Sequence, residues 1–148
     1  MYKILALVLL DLTSKILIFN LIPYNKFIKV ASFLDIVHIH NFGISFGFFS
    51  ELQLPWVFII IGTFITFIIF IMYMQSNKYL EKIGFIIIIS GAISNIIDRI
   101  INGFVIDFLY FHYKNFYWPA FNFADIYITF GVILIIIQII KDLRNKKV

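Results

Sequence analysis

Residues 55–74 read PWVFIIIGTFITFIIFIMYM, an unbroken run without a charged side chain. A helix of about 20 apolar residues is long enough to cross the hydrocarbon core of a bilayer, so this stretch predicts a transmembrane helix. The whole chain has the same character, because 62% of its 148 residues are hydrophobic and only 14% are charged. Soluble domains are about half apolar and about a quarter charged. The sequence therefore indicates a single membrane domain over residues 1–148.

Three further segments are apolar enough to cross the membrane, at about residues 4–22, 83–101 and 123–140. The first of them could instead be a cleaved signal peptide. Against that alternative, Asp11 and Lys15 interrupt its apolar core, and no small-x-small cleavage site follows it. We therefore expect it to remain as the first of four transmembrane helices.

Basic residues outside the spans predict the orientation, because Lys and Arg accumulate on the cytoplasmic side of membrane proteins. If the N-terminus is cytoplasmic, the inner side holds seven basic residues and the outer side three. These are Lys3, Lys78, Lys82, Lys141, Arg144, Lys146 and Lys147 inside, against Lys26, Lys29 and Lys114 outside. The imbalance predicts that both termini are cytoplasmic and that loops of about residues 23–54 and 102–122 face outward.

The two outer loops differ in pattern. The first contains DIVHIHNFG (residues 35–43), whose side chains alternate between two faces as in a strand. The second is dense in aromatic residues, which settle at the membrane–water boundary. The predicted fold is an all-α membrane protein with four transmembrane helices, a small extracytoplasmic β-like loop region and an aromatic interfacial loop. Its modest net charge of +4 suits lipid headgroups as partners, and we expect no nucleic-acid binding.

Charged side chains inside the spans are informative, because each costs roughly 2.5 kcal/mol or more at the centre of a membrane helix. Asp11 and Lys15 stand four residues apart on one helix face, and we expect them to neutralise each other inside the bundle. In the third span, steps of three and four residues place Asn95, Asp98 and Arg99 on one face. We interpret Asp98 and Arg99 as a charge cluster that tethers the outer loops.

Two more aspartates lie at the outer ends of neighbouring spans. Asp107 follows the third span, and Asp125 opens the fourth, three residues after Asn122. Two carboxylates held close together in a low-dielectric site retain one proton between them. One can then draw a proton from water while the other donates to a carbonyl, as in an aspartic protease. Spacing alone leaves cation binding and proton relay open beside this interpretation.

The residue inventory limits other chemistry. The chain has no cysteine, which excludes a thiolate nucleophile or a cysteine metal site, and no nucleophile elbow supports a serine hydrolase. The three histidines, His38, His40 and His112, lie in the outer loops and suggest a metal site. Histidines at a membrane boundary are commonly polar anchors, so we expect no metal and no organic cofactor.

Several motifs together resemble the lipoprotein signal peptidase (signal peptidase II) family. In the second half of the chain they are Asn95-Ile-Ile-Asp-Arg99, Gly103-x-Val-x-Asp107-Phe and Phe121-Asn-x-Ala-Asp125. Asp11-x-x-Ser-Lys15 and Asn41-x-Gly-x-x-Phe46 precede them. The order of the motifs, the small size and the four-span layout match as well, so the resemblance covers nearly the whole chain.

This resemblance implies a membrane aspartyl endopeptidase that removes signal peptides from diacylglyceryl-modified prolipoproteins, cutting N-terminal to the lipid-bearing cysteine. It implies Asp107 and Asp125 as the catalytic dyad. Asn41, Asn95, Arg99 and Asn122 would bind substrate or orient the dyad, and Asp11, Lys15, Asp98 and Gly103 would be structural support. We expect a monomer in the bacterial inner membrane with its active site at the outer face, and prolipoproteins and membrane lipids as its partners.

The chain departs from the family pattern at two places. Ile44 and Ser45 stand where small residues are usual, which would change how the first loop packs over substrate. Ser94 stands where glycine is usual, which would loosen or tighten a helix contact. Neither departure touches the dyad.

Two rival functions remain. One is an ion- or proton-conducting subunit with Asp11, Asp98, Asp107 and Asp125 as a relay, which predicts acidic residues spread through the membrane depth. The other is a catalytically silent scaffold, which would tolerate asparagine at either dyad position. The placement of Asp107 and Asp125 together at the outer boundary favours the peptidase.

Overall fold

Four long helices form the frame of the protein in a computed structural model that describes residues 2–43 and 54–145. They are α1 (Tyr2–Leu21), α2 (Pro55–Gln75), α3 (Tyr79–Asn102) and α4 (Phe123–Asn145). Each is long and apolar enough to cross a membrane, which confirms the predicted four-helix fold class. α3 and α4 extend about one turn beyond their predicted inner ends, because the helices continue through the polar residues there.

Four strands form one small antiparallel sheet, and their order in the sheet follows the chain. They are β1 (Phe27–Ala31), β2 (Leu34–Asn41), β3 (Val105–Tyr113) and β4 (Phe116–Tyr117). The predicted strand in the first outer loop is β2. The second loop was predicted only as an aromatic interfacial segment, yet it supplies β3, which pairs along β2 with Asn41 opposite Val105. Val, Ile, Phe and Tyr favour strands as well as interfaces, which explains why the aromatic content concealed this pairing.

The buried centre of the bundle contains polar and charged side chains beside apolar ones, whereas its surface is apolar, unlike that of a soluble protein. Asp11, Lys15, Ser90 and Ser94 are at most 1% exposed, whereas no residue of α2 is buried. Lipid tails are as apolar as leucine, so burying apolar side chains between membrane helices gains little. Packing and internal hydrogen bonds must therefore hold the helices together.

Small residues let α3 approach α4 closely. A Cβ added to Gly84 would lie 2.7 Å from the Gly131 carbonyl oxygen, and one added to Gly91 would lie 2.4 Å from the Ala124 carbonyl oxygen. The α3–α4 contact thus has no room for larger side chains at these points. α3 also packs against α1 and α2, so it is the central helix of the bundle.

The first departure from the family pattern, Ile44 and Ser45, lies outside the described residues, as does Phe46 of the first-loop motif.

Candidate active site

Asp107 lies in β3, opposite Ile39 of β2, and is 3% exposed. Its Oδ2 accepts a hydrogen bond of 2.9 Å from the Asn41 side-chain amide, and its Oδ1 accepts one of 2.6 Å from the Asn122 side-chain amide. Asn41 ends β2, so the β2–β3 pairing is what brings this amide to the carboxylate. Both oxygens of Asp107 are held by neutral donors, with no cation bound directly to them among the described residues.

Asp125 lies in the first turn of α4 and shares a reciprocal cap with Asn122. The Asn122 Oδ1 accepts from the Asp125 backbone N–H at 3.0 Å, while Asp125 Oδ2 accepts from the Asn122 backbone N–H at 3.3 Å. This is the capping-box arrangement, which satisfies two free N–H groups at a helix start. Asn122 therefore binds both aspartates, one through its amide nitrogen and one through its amide oxygen.

A buried lysine on α1 orients Asn95, the second side chain that binds Asp125. Lys15 Nζ donates to Asn95 Oδ1 at 2.7 Å, which leaves the Asn95 amide nitrogen to donate to Asp125 Oδ1 at 3.1 Å. The expected ion pair between Lys15 and Asp11 is present at 2.9 Å, and Asp98 is a second counter-ion at 3.3 Å. A buried ammonium is tolerated only when it is paired and fully hydrogen-bonded, and these four groups meet that condition.

The two supporting carboxylates also hold backbone beside the dyad. Asp11 Oδ1 accepts from the Ala124 N–H at 2.9 Å, one residue before Asp125. Asp98 Oδ2 accepts from the Ile106 N–H at 2.9 Å, one residue before Asp107. The positions of both aspartates thus depend on side chains of α1 and α3.

Asp98 and Arg99 do not pair with each other as the interpreted charge cluster requires, although each holds one of the two loops, Asp98 at the Ile106 N–H and Arg99 at the Gly43 carbonyl. Asp98 binds Lys15, while no carboxylate forms an ion pair with Arg99 in the described part of the chain. Arg99 instead donates to the Gly43 carbonyl at 2.6 Å and to the Asn95 carbonyl at 3.3 Å. Neighbours in a helix point about 100° apart, so the two side chains diverge.

Gly103 ends α3 in the left-handed conformation, with φ +79°. Its N–H donates to the Arg99 carbonyl at 2.9 Å. A residue with a Cβ adopts this conformation only with strain, so the glycine allows the sharp turn from α3 into β3 that brings Asp107 over the helix end.

Electrostatics at Asp107 favour the protonated acid. Burial is the largest cause and the neighbouring Asp125 the second, and together they raise the pKa of Asp107 to about 7. The amide hydrogen bonds from Asn41 and Asn122 act in the opposite direction without cancelling this rise. The pair can therefore hold one proton near neutral pH, as an acid–base dyad requires.

A cavity of about 240 Å³ opens beside the dyad between α2, α3 and α4. Asn41, Asn95, Arg99 and Asp125 form its polar wall, and Phe58 with neighbouring isoleucines forms the apolar one. The Arg99 guanidinium carbon lies 5.9 Å from the centre of the Phe58 ring. The cavity thus offers a peptide backbone hydrogen-bond donors on one side and lipid-like surface on the other.

The family is decided by comparison with known proteins. A family model described as Signal peptidase (SPase) II matches residues 3–141. The chain belongs to the signal peptidase II family.

Relatives and solved structures agree with this assignment. The lipoprotein signal peptidase of Rickettsia akari (strain Hartford) is 38% identical over 148 residues, covering 97% of this chain and 74% of the relative. That of Thermodesulfovibrio yellowstonii is 37% identical over 139 residues, covering 94% and 92%. A bacterial membrane enzyme solved by the in meso method superposes with a TM-score of 0.89 at 29% identity, covering 97% of this chain and 88% of that one. The predicted activity, that of a membrane aspartic endopeptidase that removes signal peptides from prolipoproteins, is confirmed.

Sequence reasoning missed two parts of this signal peptidase II site. Ser94, the second departure from the family pattern, donates to Asp11 Oδ2 at 2.6 Å, so the hydroxyl adds a hydrogen bond to the buried network. Asn102 donates to Asp98 Oδ1 at 2.6 Å. Ser94, Asp98 and Asn102 recur every fourth residue, and that spacing on a membrane helix was an available signal for one polar face.

The histidines lie apart from the dyad contacts. His38 Nδ1 contacts the Ile22 carbonyl oxygen at 2.7 Å, and its Nε2 lies 3.0 Å from His40 Nε2. His112 lies 3.4 Å from Asp35 at another part of the sheet. Within residues 2–43 and 54–145, no three His, Asp or Glu side chains come together as a metal site.

Replacing the buried lysine tests the support network. We expect Lys15→Met to lower the free energy of unfolding by about 3–5 kcal/mol, because Asp11 and Asp98 would be left as buried carboxylates without their cation. Thermal or denaturant unfolding in detergent measures this loss. Lys78→Met is the matched control, since Lys78 pairs with Asp142 at an exposed site and its removal should leave stability close to wild type. Equal stability of the two variants would contradict the structural role of Lys15.

Proposed function

We propose that Asp107 and Asp125 are the catalytic dyad of this signal peptidase, and that it cuts diacylglyceryl-modified prolipoproteins N-terminal to the lipid-bearing cysteine. The observation that carries the proposal is Asn122, whose single side chain binds Asp107 and the backbone of Asp125. Such a bridge fixes two carboxylates from different elements toward one another. Proton relay would need groups spread across the membrane, whereas the bridge keeps both acids at the outer end of the bundle.

The dyad supplies both acid and base. The ionised carboxylate takes a proton from a water molecule as that water attacks the scissile carbonyl carbon, and the protonated carboxyl donates to the carbonyl oxygen. As the C–N bond of the tetrahedral diol breaks, the protonated carboxyl gives its proton to the departing amine of the lipidated cysteine, while the other carboxylate takes a proton from a diol hydroxyl and the carboxylic acid product forms. One water is consumed, and the dyad returns to its singly protonated state.

The surrounding donors have distinct proposed roles. Asn41, Asn95 and Asn122 hold the carboxylates in place through the hydrogen bonds described above. Arg99 lines the cavity, and its buried Nε has no hydrogen-bond partner among the residues that the structure describes, which supports a role in binding a substrate carbonyl. A preorganised cationic donor of this kind also stabilises negative charge that develops on oxygen.

Substitution of the dyad tests the proposal most directly. We expect Asp107→Asn and Asp125→Asn each to reduce cleavage of a purified diacylglyceryl-modified prolipoprotein by at least about 1,000-fold, because either change removes acid–base chemistry from the pair. The rate of signal-peptide release in detergent or lipid is the measurement. Asp35→Asn, which alters an aspartate beside His112 in the sheet, is the matched control and should retain activity.

Retention of full activity by either dyad variant would refute the catalytic assignment. Loss of activity together with loss of folding would not support it, so each variant must show a wild-type unfolding transition. A wild-type protein that folds but leaves the substrate intact would favour the silent-scaffold alternative.

The pH dependence of cleavage follows from the shared proton. As the pH rises through the pKa of Asp107 at about 7, the pair loses the proton that the carbonyl oxygen needs. We therefore expect kcat/KM to be roughly constant just below pH 7 and to fall above it, about tenfold per pH unit. A profile that stays flat up to pH 9 would contradict the acid role of the dyad.

We also propose that the protein is a monomer in the bacterial inner membrane, with both termini cytoplasmic and the dyad at the outer face. The excess of basic residues at one end of the spans supports this orientation.

The absence of cysteine makes the orientation simple to test. With Lys114→Cys in the β3–β4 turn and Asn77→Cys between α2 and α3, a membrane-impermeant maleimide added to intact cells should label only the first. Labelling of Asn77→Cys alone would reverse the proposed orientation. Labelling of both in permeabilised cells is the control for accessibility.

A further inference from the structure

A second cavity lies on the membrane side of α4. It has a volume of about 430 Å³ and runs between one face of α4 and the end of the β3–β4 segment. We call it the α4 groove, and its apolar lining is Trp118, Phe121, Ile126, Phe130 and Ile133. Thr129 and Asp125 are the polar side chains that reach it.

The α4 groove and the cavity between α2, α3 and α4 are distinct, and they adjoin at Asp125. Asp125 and Ile128 line both. Ala124 and Gly131 turn toward α3, whereas residues 126, 129, 130 and 133 follow the i, i+3, i+4, i+7 spacing of the opposite face. The first turns of α4 therefore stand between a cavity with one polar wall and a groove that is almost wholly apolar, and Asp125 is reached from both.

The chemistry of the substrate matches this division. The peptide around the scissile bond needs hydrogen-bond donors, which Asn41, Asn95 and Arg99 provide in the first cavity. The lipid hangs by a thioether on the residue that directly follows the scissile bond, and consecutive Cα atoms are only about 3.8 Å apart. With the scissile carbonyl at Asp125, the lipid must leave through an apolar opening next to that carboxylate, and the α4 groove opens there.

We infer that the α4 groove holds an acyl chain of the diacylglyceryl group and so positions the lipidated cysteine against the dyad. This inference rests on the proposed function and adds the location of the lipid. Bulk lipid is as apolar as the groove, so seating the chain there gains little by hydrophobic transfer. The benefit is orientation, which appears in kcat/KM as proximity of the scissile carbonyl to the dyad.

Filling the groove tests the inference. Thr129→Trp places a bulky side chain in the middle of the lining, and Ile140→Trp places the same side chain on the exposed surface of α4 outside it. Two substrates with the same peptide are compared in one mixed-detergent micelle, one with two palmitoyl chains and one with two acetyl groups on the glycerol. Because both variants share each substrate's partitioning, the ratio of the two kcat/KM values isolates the enzyme's contribution.

We expect Thr129→Trp to lower the dipalmitoyl-to-diacetyl ratio of kcat/KM values at least tenfold. Ile140→Trp should keep the wild-type ratio. If Thr129→Trp kept the wild-type ratio of the two kcat/KM values, the inference would be overturned. Failure of wild type to cut the dipalmitoyl substrate would instead overturn the proposed function, so the two failures are distinguishable.

Photo-crosslinking locates the chain without any variant. A diazirine in the middle of one acyl chain, irradiated with wild-type protein at low temperature, should label Phe130, Ile133 or Trp118. Labelling confined to α2, or spread evenly over the four helices, would overturn the inference even if Thr129→Trp proved unstable.

Discussion

The buried ammonium of Lys15 is the constraint on which the rest of the site depends. A cation inside a membrane protein must be paired, and Lys15 is paired by one carboxylate from its own helix and one from α3. Each carboxylate also accepts a hydrogen bond from a backbone N–H, Asp11 from Ala124 and Asp98 from Ile106. Those two amides immediately precede the two dyad residues in the chain. The lysine therefore fixes where α4 starts and where β3 starts, although it touches neither aspartate of the dyad.

The charge balance around the network explains why the dyad keeps a proton. Two cations, Lys15 and Arg99, lie near four aspartates, so full ionisation would leave an excess of buried negative charge. Lys15 is already bound by Asp11 and Asp98, and within the described ranges the hydrogen bonds to Asp107 come from neutral amides. Retaining a proton on the outer pair is the least costly way to remove this excess. The support network thus holds the pair in position and favours the singly protonated state on which the proposed mechanism depends.

Hydropathy was sufficient to predict the helices, and the motif residues were sufficient to predict the family. In lipid, each span must be apolar and must satisfy its backbone N–H and C=O groups within its own helix. The spans are therefore visible in a single sequence. The partners of the polar side chains were less accessible, because they join residues far apart in the chain. Lys15 and Asn95 are 80 residues apart, and Asp11 and Ala124 are 113 apart. The expected Asp98–Arg99 pairing shows the same limit, since sequence adjacency was taken for contact where the helix turns the two side chains apart.

The strand pairing was hidden for a different reason. β3 carries both the aromatic residues of an interface and the β-branched residues of a strand, and the interfacial pattern alone does not specify a partner. Only the register, with Asn41 opposite Val105, shows that β3 brings Asp107 to the amide of Asn41. The sheet also accounts for the shape of the substrate region, because the chain that leaves β3 passes through Trp118 and Phe121 before α4 begins. The segment that carries Asp107 therefore also roofs the α4 groove, while the first turn of α4 carries Asp125. A rearrangement of this segment would move Asp107 together with the Trp118 and Phe121 lining of the groove, so the proposed lipid site and the proposed dyad share one structural element.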